Sequence, residues 1–175
     1  MEALGSISGK VDLEITLIGD AGMDKKSQAE KVKILEVIDR HQLRGNIQML
    51  GFQPHEVFFG EAYKHHIFLS PSVTAKVGDS EGGAPITIIE MLATGMPIVS
   101  SYHCDIPNIV KHGESGLLSH ERDVSEIVSN LEWLIQHPDD WRPMIENGRS
   151  TVEKEYDAAI QGVNLSRIYH EIVAG

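Results

Sequence analysis

Residues 79–101 constrain the fold more than any other stretch of this sequence. They begin with polar residues and two adjacent glycines, continue with a run of apolar residues, and end in Pro-Ile-Val-Ser-Ser. Proline suits the first position of a helix, where its missing N–H is not needed, and glycine suits the position just after the last turn. The stretch therefore predicts a loop, a short helix that begins at Pro85 and ends at Gly95, and a buried strand.

The predicted helix has one charged residue, Glu90, among apolar residues that cover almost every side of it. We therefore expect the helix to be buried all round. A buried carboxylate is costly unless it has a partner. Helical side chains lean toward the N-terminus, so Glu90 should lean toward the two glycines of the loop.

The start of this helix is suited to binding an anion. We expect the backbone N–H groups of Ile86, Thr87 and Ile88 to lack helical acceptors, with the positive end of the helix dipole behind them. Phosphate binds such N–H groups, and a carboxylate close by can accept hydrogen bonds from a sugar diol. The pattern indicates a pocket for a nucleotide or a phosphorylated sugar. The alternative is a turn before a core helix, in which a backbone N–H or a basic residue holds Glu90.

Strands and helices alternate along the chain, which predicts an α/β fold with a Rossmann-like parallel sheet and helices on both faces. Ligands bind at the carboxyl ends of such strands. The polar loop at residues 72–84 leaves one of these ends, and a loop of this length usually serves binding. The predicted strands are residues 11–18, 47–50, 67–70 and 97–101, and the predicted longer helices are residues 25–42, 54–63, 124–136, 141–155 and 158–173.

Composition excludes several classes of function. A net charge of −11 argues against a nucleic-acid-binding surface and against charge-driven binding to an anionic membrane. No apolar run is long enough to span a bilayer, and no secretory signal follows Met1.

The single cysteine, Cys104, cannot form an internal disulfide, which favours a reducing, cytoplasmic setting. We interpret Cys104 as a small packing residue rather than a nucleophile, although His103 precedes it.

The run from Glu81-Gly-Gly-Ala-Pro to Glu90-Met-Leu-Ala-Thr-Gly-Met-Pro-Ile-Val-Ser resembles the donor-binding signature of the GT-B glycosyltransferases, in particular their retaining family 4. The two glutamates are one residue further apart than is usual in that family. Further segments resemble the family in the same order along the chain: Leu17-Ile18-Gly19-Asp20, Asn46 to Phe52, Ile67 to Ser72, and Gly113 to Leu118. The run from Ser101 to Pro107 resembles a subgroup that acts on extracellular or capsular polysaccharide.

The resemblance implies that residues 1–175 are the donor-binding, C-terminal half of a GT-B fold, with helices at residues 139–173 packing across it. It also implies that this domain lacks its first strand, and that an N-terminal acceptor domain or partner chain is missing. The catalytic histidine of the family belongs to that missing domain. We therefore expect the chain to be inactive alone, and any membrane association to depend on the missing domain.

The implied reaction moves a sugar, with retention, from a nucleotide-diphosphate sugar to an acceptor hydroxyl in polysaccharide or glycolipid biosynthesis. By resemblance, Glu81 would be the catalytic residue, contacting hydroxyls of the donor sugar, and Glu90 would accept from both ribose hydroxyls. No metal or other cofactor is expected. The remaining predicted donor-binding residues surround the diphosphate or line the loop: Ser72, Gly82, Gly83, Ala84, Pro85, Ile86 and Thr87. Ser72, like Thr74, needs no role beyond that of a loop residue.

Other classes of function remain open from the residues alone. One is a non-catalytic module that binds a nucleotide sugar or another subunit. A dinucleotide-binding dehydrogenase would need Gly-x-Gly-x-x-Gly after its first strand, which the run Gly19-Asp-Ala-Gly22 does not supply. A nucleotide-sugar epimerase, which shares the GT-B architecture, is a more distant alternative.

Overall fold

The computed structural model describes residues 1–75, 78, 80 and 82–174. These residues form two compact units, the first made of Met1–His66 with Asp123–Glu132 and the second of Ile67–Arg122 with Trp133–Gly175. The strands are β1 (Ile15–Ile18), β2 (Ile47–Gly51), β3 (Phe68–Ser70), β4 (Ile98–Ser101) and β5 (Leu117–Ser119). The helices are α1 (Glu2–Ile7), α2 (Lys25–Arg40), α3 (His55–Ala62), α4 (Ile86–Thr94), α5 (Ile106–Ile109), α6 (Val124–Gln136), α7 (Trp141–Glu155) and α8 (Ala158–Ala174), with short 3-10 turns at Leu43–Gly45 and Pro138–Asp140.

In the first unit, β1 and β2 pair in parallel, with Ile15 opposite Ile47. The predicted strand at residues 11–18 is therefore too long at its start, because its partner strand begins only at Ile47. Before the ladder begins, the side chain of Asn46 donates to the carbonyl of Leu13 over 2.9 Å. A side chain thus replaces the backbone partner of that carbonyl.

The core of the first unit holds α1 against α2. Ile7 and Ile38 are almost completely buried, as is Leu43 in the turn after α2. Gly5 in α1 lies against the imidazole of His41, and a Cβ at Gly5 would come within 2.2 Å of that ring. The close approach of the two helices therefore requires glycine at this position.

In the second unit, β3, β4 and β5 form a parallel sheet in that order. All four residues of β4 are buried, which confirms the predicted buried strand. The parallel pairing in both units confirms the α/β class, and the described strands form two separate hydrogen-bonded sheets. Helices α4 and α5 both pack against β4.

Helix α4 is fixed at its C-terminus and along one side. Gly95 ends the helix, as predicted, in the left-handed conformation at φ 82°. Its N–H donates to Leu92 and the N–H of Met96 donates to Met91, which satisfies two carbonyls of the last turn. Helix α7, whose predicted bounds are confirmed, packs on α4 at Gly148, where an added Cβ would lie 2.6 Å from the Leu92 side chain.

Candidate functional site: the loop before helix α4

The start of α4 differs from the prediction by one residue. Pro85 is extended and caps the helix from outside, and Ile86 is the first helical residue. The N–H of Ile88 donates to the carbonyl of Pro85 over 3.0 Å, so the prediction that it lacks an acceptor was wrong. The N–H groups of Ile86 and Thr87 have no hydrogen-bond acceptor among the residues that the structure describes. This helix end therefore presents two N–H donors.

Helix α4 is buried on one side only, so the prediction of burial all round was wrong. Ile86 is 70% exposed, and Ala93 is also exposed. The buried side contains Ile88, Met91 and Leu92, because this is the side that meets β4 and α7. Glu90 lies between these two environments, half-buried, with its Oε2 atom buried.

The glycine loop leads directly to the open end of α4. Gly82 is exposed and has φ 72°, a left-handed conformation that L side chains rarely adopt, so glycine suits this position. Gly83 and Ala84 are half-buried, and a Cβ built on Gly83 would lie 4.0 Å from a carboxylate oxygen of Asp105. Glu81, predicted to be catalytic, lies outside the described residues, so its role stays a prediction.

The root of the loop is tied to β4 by serine hydroxyls. Ser100 Oγ donates to the carbonyl of Ser70 over 2.7 Å, and Ser101 Oγ donates to the carbonyl of Ser72. Ser119 Oγ in turn donates to the carbonyl of Ser100 over 3.0 Å. These bonds place Ser72, a predicted donor-binding residue, in a fixed position beside the end of β4.

A second group of side chains, which we call the Glu121 cluster, lies after β4 and β5. The carboxylate of Glu121 accepts from the backbone N–H of Thr74 over 2.8 Å and from its hydroxyl over 3.0 Å. It also lies 2.7 Å from Nδ1 of His103, a ring that is 1% exposed. The His103 ring, followed by the backbone N–H of Thr74, lowers the pKa of Glu121 to about 2. Cys104 completes the cluster, with its Sγ 3.2 Å from Nε2 of His103.

The sequence pattern did not predict this cluster. The prediction that Cys104 is a packing residue was wrong, because the residue is exposed. The only local signal was the adjacency of His103 and Cys104. Glu121 lies far along the sequence from both Thr74 and His103, and no periodic pattern links them. Within the described part of the chain, no group of three or more His, Cys, Asp or Glu side chains could hold a metal ion.

The two N–H donors at the start of α4 therefore lie directly after a glycine loop in an α/β fold. Residues 1–151 match the family described as "Glycosyl transferases group 1". The chain belongs to this family, which confirms the resemblance to glycosyltransferases.

Two similar relatives are named for polysaccharide biosynthesis. The amylovoran biosynthesis glycosyltransferase AmsK of Erwinia amylovora is 31% identical over 159 residues, covering 91% of this chain and 37% of AmsK. WcaL of Escherichia coli, named as a colanic acid biosynthesis glycosyltransferase, is 31% identical over 137 residues, covering 78% of this chain and 34% of WcaL. The chain thus spans little more than a third of the length of these relatives.

The fold has a solved counterpart in HepE of Anabaena, whose structure contains UDP and glucose. The two superpose with a TM-score of 0.82 at 17% identity, over 97% of this chain and 43% of HepE. This likeness concerns the fold, and agrees with a chain that corresponds to one half of a GT-B enzyme. Among the described residues, no helix is both long and apolar enough to cross a membrane.

Proposed function

We propose that this chain forms the nucleotide-sugar donor site of a retaining glycosyltransferase that acts in the cytoplasm on a polysaccharide or glycolipid. The observation that carries the proposal is the start of α4. The N–H groups of Ile86 and Thr87, which have no acceptor among the described residues, follow a glycine loop. The half-buried carboxylate of Glu90 lies one helical turn further along the chain. HepE, which has the same fold, was solved with UDP and glucose.

In the proposed complex, the donor diphosphate lies against the N–H groups of Ile86 and Thr87. Negative charge grows on the departing diphosphate in the transition state, and N–H donors already pointing at that charge stabilise it without reorganisation. Gly82, Gly83 and Ala84 allow the loop backbone to approach the phosphates, with Pro85 directing the chain into the helix. Ser72 lines the root of the same loop.

Glu90 is proposed to accept hydrogen bonds from the two ribose hydroxyls. Its half-buried position would make these bonds stronger than they would be in water, since the local dielectric constant is lower. Glu81 is proposed to contact hydroxyls of the donor sugar. The proposal includes no metal or other cofactor, since the helix end and the loop supply donors for the diphosphate.

We further propose that residues 1–175 form one donor-binding domain and that transfer needs an acceptor-binding part from a separate domain or chain. The support is the share of the relatives that this chain spans, 37% for AmsK. The chain alone should therefore bind a donor without transferring its sugar.

Calorimetric titration of the chain with UDP-, GDP- and ADP-sugars tests the proposal. We expect one of them to bind, and the Glu90→Gln substitution to weaken its binding about tenfold, since a bond to a charged acceptor is worth about 1.5 kcal/mol or more. Glu153→Gln, on the exposed side of α7, is the matched control and should change nothing. Lack of binding by any nucleotide sugar would refute the donor site, and turnover by this chain alone would refute the need for a second part.

A second candidate is a module that binds another subunit. It is favoured by α8, which has no buried residue and exposes Val163 and Ile172, each by 70%. Sedimentation of the chain over a range of concentrations tests this candidate. Self-association that is lost in Val163→Asp would support it, and a monomer at all concentrations would argue against a second copy of the chain as the partner.

A further inference from the structure

Three side chains with nucleophilic and acid–base chemistry meet after β4, and the proposed donor site uses none of them. Sγ of Cys104 lies 3.2 Å from Nε2 of His103, and Nδ1 of that ring lies 2.7 Å from Oε1 of Glu121. A thiol, an imidazole and a carboxylate therefore form one hydrogen-bonded line. This is the order of groups in which an imidazole, oriented by a carboxylate, activates a nucleophile.

The carboxylate determines which nitrogen of the His103 ring carries the proton. Glu121 is ionised at neutral pH, since its pKa is lowered to about 2. An ionised carboxylate only accepts hydrogen bonds, so Nδ1 of His103 donates to it. In the neutral ring, Nε2 then presents its lone pair to Sγ of Cys104, and the thiol donates its proton toward that nitrogen.

The surroundings keep the imidazole in place and leave the sulfur accessible. The His103 ring is 1% exposed, whereas Cys104 is exposed to solvent. Glu121 cannot easily swing away from the ring, because the backbone N–H and the hydroxyl of Thr74 both donate to it. The base is thus shielded from water while a small reagent can reach the thiol.

We propose that Cys104, with His103 as general base and Glu121 as the residue that orients it, is a nucleophilic thiol that reacts with hydroperoxides. As Sγ attacks one oxygen of the peroxide, its proton passes to Nε2 of His103 and the O–O bond breaks. The departing hydroxide, or the alkoxide when the reagent is an alkyl hydroperoxide, takes the proton back from Nε2 and leaves as water or as an alcohol. The sulfur is oxidised by two electrons to a sulfenic acid, and the peroxide is reduced by the same two electrons.

The first experiment compares the folded and the unfolded chain. Hydrogen peroxide is added at neutral pH with a 1,3-dione that traps sulfenic acid, and labelling is followed by intact mass, which reports on Cys104 alone because the chain has one cysteine. General-base assistance typically contributes a factor of about 100 or more, so we expect the folded chain to react at least about tenfold faster than the chain in urea. Equal or slower labelling of the folded chain would overturn the proposal, and this comparison needs no variant.

The second experiment separates the chemistry from the exposure of the thiol. His103→Gln should lower the rate of the folded chain at least about tenfold and leave that of the unfolded chain unchanged. His66→Gln, an exposed histidine of the other unit, is the matched control and should keep the wild-type rate. Circular dichroism shows whether each variant is folded. A folded His103→Gln variant that labels at the wild-type rate would show that the imidazole has no part in the reaction.

Discussion

The start of α4 and the Glu121 cluster differ in how far their polar groups are hydrogen-bonded within the protein. At the start of α4, the N–H groups of Ile86 and Thr87 have no acceptor within the described residues. In the cluster, one carboxylate is bound by two groups of Thr74 and by a buried imidazole. The difference teaches that the first region leaves donors available to the ligand proposed above, whereas the second holds its imidazole and carboxylate in fixed positions. Disturbing the first should change binding, and disturbing the second should change stability.

The largest effect on stability is expected at Gly148 of α7, which packs against α4. A valine there would meet the Leu92 side chain and the carbonyl of Ser115, because even a Cβ would come within 2.6 Å and 3.3 Å of them. We expect Gly148→Val to lower the free energy of unfolding by about 3 kcal/mol, as overpacking of a tight contact does. Urea unfolding measures the loss. Gly162→Val, at a helical glycine with open space around it, should stay within about 0.5 kcal/mol of wild type, and an equal loss in both variants would contradict the packing argument.

The next largest effect on stability is expected at His103 of the Glu121 cluster. His103→Leu removes one of the partners of the Glu121 carboxylate, which keeps its two bonds from Thr74, so the free energy of unfolding should fall by less than in Gly148→Val. His66→Leu is the surface control for the same substitution. If both variants unfold at the same urea concentration as wild type, the cluster does not stabilise the fold.

Acid should weaken the same cluster in a defined range of pH. The folded-state pKa of Glu121, about 2, lies below its ordinary value of 4.5. The stability that its ionised form contributes is therefore complete above about pH 4.5 and is lost as the pH falls toward 2. We expect the difference in urea midpoint between wild type and Glu121→Gln to be largest near neutral pH and to shrink below pH 4.5. A difference that stays constant down to pH 2.5 would show that the charge of Glu121 does not matter.

The smallest effect on stability is expected in the glycine loop before α4. Gly82→Ala places a side chain in open space but at φ 72°, a conformation that costs alanine about 1 kcal/mol. If donor binding needs this loop conformation, affinity should fall about fivefold while the urea midpoint changes little. Gly60→Ala, also in open space but in α3, should leave donor affinity unchanged. Unchanged affinity in Gly82→Ala would remove this glycine from the site.

Local signals in the sequence predicted most of the secondary structure. Asp123 is followed three residues later by Glu126, a pattern typical of a helix start, and Asp123 accepts from the N–H of Glu126 over 3.0 Å at the start of α6. Gly95 ends α4, and α7 has the predicted bounds, Trp141–Glu155. Each of these features depends on residues that are close together in the chain. They can therefore be predicted from a single sequence, without knowledge of the tertiary contacts.

Features that depend on distant partners were not predictable in this way. The burial of α4 was overestimated, because apolar composition does not tell which side of a helix meets its neighbours, and Ile86 is exposed. The start of β1 depends on where β2 begins. The Glu121 cluster joins residues from three separate segments, and its only visible trace was an adjacent histidine and cysteine. The donor-binding roles themselves remain predictions, and that of Glu81 lies outside the described residues.

The serine hydroxyls that join the ends of β3, β4 and β5 have a consequence for protein engineering. They attach Ser70 and Ser72 sideways to β4, so the direction in which the chain leaves the sheet does not depend on the residues that follow. If residues 75–84 are replaced and the serines are retained, we expect Ser70 and Ser72 to keep their positions beside β4.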